Sequence, residues 1–295
     1  MNATTQTPAS TSQSIRRVAG TLRGVPAEDG AGVKLTRIIG SPQLDMWDPF
    51  LLLDHFESDN PDDYIAGFPS HPHRGFETVT YLLAGRLRHK DSTGREGVIE
   101  PGGVQWMTAG RGIVHSEMPE QLEGRLAGFQ LWVNLPARNK MTAPRYQEFD
   151  ADAIPLEQRD ESVSIRVIAG ETGQGTRGPV KDVPTAPRYF DITLGAGSTF
   201  SEPVPQDHGA FIYVIDGAVE VLAGRDADDR RITAGTLALL GEGDWIQISG
   251  AERYNRSLLV SARRLGEPVA RSGPFVMNSR DEIIQAYSDY QSGRF

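Results

Sequence analysis

The chain has 295 residues, enough for two ordinary domains with a substantial buried core. Its formal net charge of −9 argues against a broad phosphate-binding surface, and the adjacent pair Arg16-Arg17 is too small a basic cluster to suggest direct contact with nucleic acid. There is no cysteine, which excludes disulfides, thiolate metal sites, cysteine-held iron–sulfur clusters and a thiol nucleophile together and fits a cytoplasmic location.

In chain order, residues 1–14 are polar and rich in Thr, Ser and Gln. They lack a basic stretch followed by an apolar one, so they read as a disordered tail rather than a signal peptide. No apolar run anywhere approaches the roughly 18 residues that a membrane helix needs. From about Val18 the pattern is strand and turn. Thr78-Val79-Thr80-Tyr81-Leu82-Leu83 is β-branched and aromatic, and Ala84-Gly85 turns it into Arg86-Leu87-Arg88-His89. Asp91-Ser92-Thr93-Gly94 is a second turn, and Pro101-Gly102-Gly103 a third, leading into Val104-Gln105-Trp106-Met107. Glycine (32) and proline (19) are plentiful, and short strands so closely spaced predict an all-β barrel or sandwich.

The pattern then recurs. Tyr81-Leu82-Leu83-Ala84-Gly85 matches Tyr213-Val214-Ile215-Asp216-Gly217, Pro101-Gly102 falls against Ala234-Gly235, and Gly110 against Gly243. Two related barrels follow from a repeat of that length. Residues 15–140 are expected to form the first and 161–295 the second. The proline- and charge-bearing stretch 141–160 is expected to link them. Ser279-Arg280-Asp281-Glu282 has capping-box form before Ile283, Ile284 and Tyr287, which predicts a terminal helix packed over a barrel edge.

The chemistry lies in two short segments of the first barrel. His71-Pro72-His73 puts two imidazoles at i and i+2, on one face of an extended strand, and His115-Ser116-Glu117 repeats that spacing with an imidazole and a carboxylate. Two such strands side by side in a barrel bring both pairs to one point. Three neutral nitrogens and one carboxylate, without sulfur, suit a divalent first-row metal and leave coordination positions for water or substrate. The other histidines carry less weight. His55 reads as structural, His89 as a solvated strand end, and His208 stands alone in the second barrel. On the repeat alignment the four candidate ligands fall opposite Pro203, Pro205, Ile248 and Gly250, so the second barrel is expected to lack a site.

At these residues a resemblance becomes specific. His71 through Leu83 and Gln105 through Pro119 resemble the two signature stretches of the pirin family. Pro49-Phe50-Leu51-Leu52-Leu53-Asp54 and Leu131-Trp132-Val133-Asn134-Leu135-Pro136 extend the similarity, which runs from about Val18 to the C terminus. The resemblance implies two tandem cupin barrels (double-stranded β-helix or jelly-roll) with a C-terminal helix, and a mononuclear iron centre in the first barrel held by His71, His73, His115 and Glu117. In many cupins a carboxylate shortly after H-x-H is the ligand, which makes Glu77 the competitor. The pirin pattern assigns the role to Glu117 and leaves Glu77 beside the ligands.

The resemblance also implies function. Some pirins are associated with quercetin 2,3-dioxygenase activity, and others with redox-sensitive regulation of transcription factors through a protein partner. On the first reading a flavonol binds through its hydroxyl oxygens and is cleaved with O2. Glu117 acts as ligand and general base, and Phe76, Trp106 and Met107 line the pocket. Fe(II) is the expected ion, although Mn, Ni, Cu and Zn suit the same donors. A monomer is expected, because paired barrels satisfy each other's contacts.

Overall fold

A computed structural model describes residues 14–224 and 228–295. The expected tail, 1–14, lies outside the described residues except for Ser14. The first twelve strands are β1 (Val18–Arg23), β2 (Val25–Asp29), β3 (Val33–Ile39), β4 (Phe50–Ser58), β5 (Phe68–His73), β6 (Phe76–Ala84), β7 (Leu87–Asp91), β8 (Glu96–Ile99), β9 (Val104–Thr108), β10 (Ile113–Pro119), β11 (Leu126–Asn134) and β12 (Arg145–Phe149). Eleven of them build a two-sheet barrel, with a large sheet in the order β12-β9-β6-β11-β4-β3-β2 and a small one in the order β5-β10-β7-β8.

The same arrangement recurs in a second barrel, with a seven-stranded sheet made of β1 and six strands that follow residue 155, and a four-stranded sheet again. The reason that β6 is buried on both faces is now visible. Val79 and Tyr81 point away from the barrel and pack, with Val104, Trp106 and Phe129, against Tyr189, Phe211, Tyr213 and Leu258 of the second barrel. Thr80, on the opposite face, is buried and reaches Glu117 within the first barrel. The joint is polar as well as apolar, since Tyr81 donates to Asp191 at 2.6 Å and Arg256 holds that carboxylate at 2.7 Å.

The chain does not divide in space where the sequence suggested. Strand β1 pairs with Thr236–Leu240 in the second barrel. The Arg16 guanidinium is buried there, donating to the carbonyls of Pro205, Gly241 and His208 at 2.6, 2.9 and 3.1 Å. Conversely β12, inside the expected linker, extends the first barrel's large sheet through β9, and Leu156–Asp160 already belongs to the second. Arg145-Tyr146-Gln147-Glu148-Phe149 is mostly polar because this edge strand is half-buried and its side chains are hydrogen-bonded, Arg145 and Gln147 to Lys181 O and Glu148 to Gln105, so its composition does not mark it as a strand.

The C-terminal segment returns to the first barrel. A hairpin of Ala270–Ser272 and Phe275–Met277 precedes helix α1 (Arg280–Gln291), whose capping box forms as expected between Ser279 and Glu282. Ile283 and Ala286 are the buried residues of the helix and pack on Phe275 and Met277, while Ile284 faces outward at 58% exposure. The segment is fastened beside the two histidines of β5. Arg74 pairs with Asp289 at 2.8 Å, and its guanidinium lies 4.5 Å from the Phe295 ring centroid. The buried Lys140 ammonium donates to Gly75 O, Asn134 Oδ1 and Val276 O at 2.8, 2.7 and 2.9 Å, which uses all three of its protons.

Candidate metal centre

Strands β5 and β10 are antiparallel neighbours in the small sheet, with His71 opposite His115 and His73 opposite Ile113. The alternation of a strand therefore delivers His71, His73 and His115 to one face. One ring nitrogen from each lies within 4.8 Å of the other two, and the Nε2 atoms of His71 and His73 are 3.0 Å apart. His71 Nδ1 donates to Pro69 O at 2.8 Å, which fixes its tautomer and leaves the Nε2 lone pair facing the cluster. A register shift between His115 and Glu117 separates the second pair, and Glu117 Oε2 stands 4.0 Å from His115 Nε2.

The local electrostatics suit a cation. His73 and His115 are 3% and 1% exposed, and burial holds both well below the ordinary histidine range, so both are neutral. His73 Nδ1 and both nitrogens of His115 have no protein partner, an expensive state for buried polar atoms. Burial also pushes the Glu117 carboxyl up from its ordinary value. Its Oε1 lies 2.9 Å from Thr80 Oγ1, which in turn lies 2.7 Å from the Gln130 side-chain amide. One nitrogen from each of three imidazoles, beside one buried carboxylate, forms a donor set that a divalent ion fits, and such an ion offsets the cost of burying the carboxylate charge.

The centre opens onto a cavity of about 760 Å³, of the size that holds small-molecule ligands. His71, His73 and Glu117 line it, with Leu52, Phe56, Leu126 and Trp132 among its apolar walls. The residues expected to line it lie elsewhere. Trp106 faces the second barrel, because odd and even positions of β9 point oppositely and Trp106 shares Val104's face. Met107 packs with Ala109, Ile113 and Tyr146, and Phe76 packs with Leu51 and Val276 while its ring stands 5.1 Å from His73. Trp132 takes the position at the wall, with its ring 5.2 Å from His73 and 4.3 Å from Phe76.

Glu77 is not beside the ligands either. It shares the outward face of β6 with Val79 and Tyr81, and Thr108 donates to it at 2.7 Å. Its second oxygen has no partner, and burial lifts its pKa to about 7. His55 is structural, as expected: it stacks on Phe129 at 4.5 Å and meets Tyr213 Oη at 3.3 Å between the barrels. His89 departs from expectation. It is 4% exposed rather than solvated, lies opposite Glu117 in the ladder, pairs with Glu148 and stacks near Tyr146. Strand β7 alternates buried and exposed residues, and that alternation within the polar Arg88-His89-Lys90 was the signal available for His89. In the second barrel Ile248 packs in an apolar core with Phe200, Ile246 and Val219, and the His71, His73 and His115 group is the one such cluster found among the described residues.

Two family models match this chain: "Pirin" over residues 32–133, and the pirin C-terminal cupin domain over residues 189–295. A pirin-like protein of Caulobacter vibrioides is 54% identical over 95% of this chain and 99% of its own length. A Pseudomonas aeruginosa protein named "Putative quercetin 2,3-dioxygenase" is 49% identical over 92% of this chain and 94% of its own. Among solved structures, a quercetin 2,3-dioxygenase from Acinetobacter baumannii superposes with a TM-score of 0.86 at 34% identity, covering 96% of this chain and 99% of that one.

Proposed function

The chain belongs to the pirin family, with two cupin barrels and a C-terminal helix, and we propose that its first barrel is a metal-dependent dioxygenase that cleaves flavonol-like aromatics with O2. The observation that carries this reading is the convergence of three imidazoles, with orphaned nitrogens, beside a buried carboxylate on a cavity walled by apolar side chains. His71, His73, His115 and Glu117 are the residues that would hold the ion. Fe(II) is the ion assigned, and Mn, Ni, Cu and Zn suit the same donors. Relatives and a structural neighbour named for quercetin 2,3-dioxygenase support the substrate class.

The bound metal would supply Lewis acidity to the substrate hydroxyl and a route for electron density toward O2, so that no external reductant is required. Glu117 takes the proton of the 3-hydroxyl group through Oε2, since its Oε1 faces Thr80. Thr80 and Gln130 hold that carboxylate in place, and Gln130 also lines the cavity. Trp132, Leu52 and Leu126 hold flat rings and exclude water. Among the described residues, no helix is long and apolar enough to cross a membrane. The test is oxygen uptake by the Fe(II)-loaded protein on addition of quercetin, beside His73→Ala. Uptake matched to flavonol loss in the wild type alone supports the reading, and none from a fully loaded wild type refutes it.

A further inference from the structure

One cation at this cavity lacks a contacting acidic partner. The charged groups that line the cavity, apart from Glu117, are Asp29, Asp54, Arg37 and Arg271. Arg37 is paired with both carboxylates: its Nε and Nη2 donate to Asp54 at 2.9 and 2.7 Å, and Nη2 reaches Asp29 at 2.6 Å. Arg271, from the C-terminal hairpin, makes a single hydrogen bond among the described residues, from Nη1 to the Leu51 carbonyl at 3.0 Å. Its guanidinium carbon lies 5.1 Å from the centroid of the Trp132 ring. The guanidinium is therefore held over the ring while its Nε–Nη2 edge makes no hydrogen bond among the described residues, the edge that fits a carboxylate with two parallel hydrogen bonds.

The position relative to the metal centre matters. The Trp132 ring is 5.2 Å from His73 and 5.1 Å from Arg271, so the guanidinium stands no more than about 10 Å from the His73 ring. A fused or linked pair of aromatic rings spans that gap. We propose that Arg271 is an anion-recognition group of this cavity and that the preferred substrates are planar aromatic molecules with a carboxylate remote from their metal-binding oxygens. The proposal rests on reading the His71, His73, His115 and Glu117 cluster as a substrate-facing metal centre. A neutral flavonol leaves the Arg271 donors to water, whereas a carboxylate on the distal ring takes them in a place where Trp132 already restrains the guanidinium.

The test compares 3-hydroxyflavone with its 4′-carboxylate by calorimetry on the full chain loaded with Zn(II), which does not turn over. The wild type is expected to bind the carboxylate about 10- to 100-fold more tightly, the range of a charge-assisted pair. Arg271→Gln should remove that preference by weakening the carboxylate alone, and Arg271→Lys should restore part of it. Equal binding of both probes by the wild type overturns the proposal. So does an Arg271→Gln variant that weakens both alike, because that marks a packing role on Trp132. If neither flavonol binds, the flavonol reading fails, and 2-naphthoate against 2-naphthamide on the metal-stripped protein decides for Arg271 separately. An Arg271-dependent preference for the acid then sustains the anion subsite, and no preference overturns it.

Discussion

Replacing Thr80 with valine removes one hydroxyl and keeps the shape of the side chain, which isolates what holds Glu117 in place. Thr80 Oγ1 lies between Glu117 Oε1 at 2.9 Å and the Gln130 amide at 2.7 Å. The hydroxyl has one proton, so it donates to Glu117 when the Gln130 amide presents its NH2 to Thr80. Thr80 is 1% exposed and Glu117 4%, so no bulk water replaces the lost bond. A hydrogen bond to a charged group contributes about 1.5–3 kcal/mol, and outer-shell partners of metal ligands typically account for about 10- to 100-fold in affinity. Thr80→Val should therefore weaken metal binding by about that factor, read by competition against a chromophoric chelator at neutral pH, while Thr80→Ser should stay near wild type. An affinity for Thr80→Val within about twofold of wild type, at unchanged thermal stability, refutes the idea that Thr80 orients a ligand.

Glu77 offers a pH test away from the metal. Its folded pKa is raised to about 7 from an ordinary 4.5, so the folded state holds a proton that the unfolded chain releases. Stability is then fully present below about pH 4.5 and is lost as pH rises through 7, by on the order of 3 kcal/mol. Glu77→Gln should flatten that decline in thermal melts between pH 5 and 8. Because buried His73 and His115 titrate with the opposite sign in both proteins, the difference between them decides, and a Glu77→Gln variant whose stability runs parallel to wild type over this range sinks the reasoning. Trp106→Ala should cost about 3–5 kcal/mol through the core between the barrels and leave the metal-loaded protein's flavonol affinity nearly intact, whereas Trp132→Ala should do the reverse. The opposite pattern in calorimetry would return Trp106 to the pocket. Gly75→Ala places a methyl carbon 1.9 Å from the Val276 carbonyl oxygen at a residue with φ of +90°, so the C-terminal clasp should loosen, and limited proteolysis that finds α1 equally protected would contradict that.

The parts of this fold that were readable share a property: their signal is local. β-branched and aromatic strand segments, glycine turns repeated a domain apart and a capping box each need only a few residues and are present as read, and the two i, i+2 segments bring His71, His73 and His115 together although a register shift sets Glu117 apart. Burial on both faces was the difficulty for Trp106 and Glu77. A strand that is buried on both sides does not say which side is the barrel interior, and both residues turned toward the other barrel. The exchange of chain ends was invisible for a different reason. Pairing of β1 with Thr236–Leu240, and docking of the hairpin that carries Arg271, depend on partners some two hundred residues away, and no short window contains them. His89 was misplaced because two charged neighbours suggested solvent, whereas the strand turns only those neighbours outward.

The claim at the centre of all this is that one metal, held in the first barrel, binds the substrate hydroxyl. Fe(II) titrated under argon into the metal-stripped protein with 3-hydroxyflavone present reads it out in the flavonol absorption band. A red shift that saturates at one equivalent per chain, and is absent in His115→Ala, is the expected result. A shift that appears without metal, or persists in His115→Ala, would place flavonol binding elsewhere and leave the histidine cluster without its role.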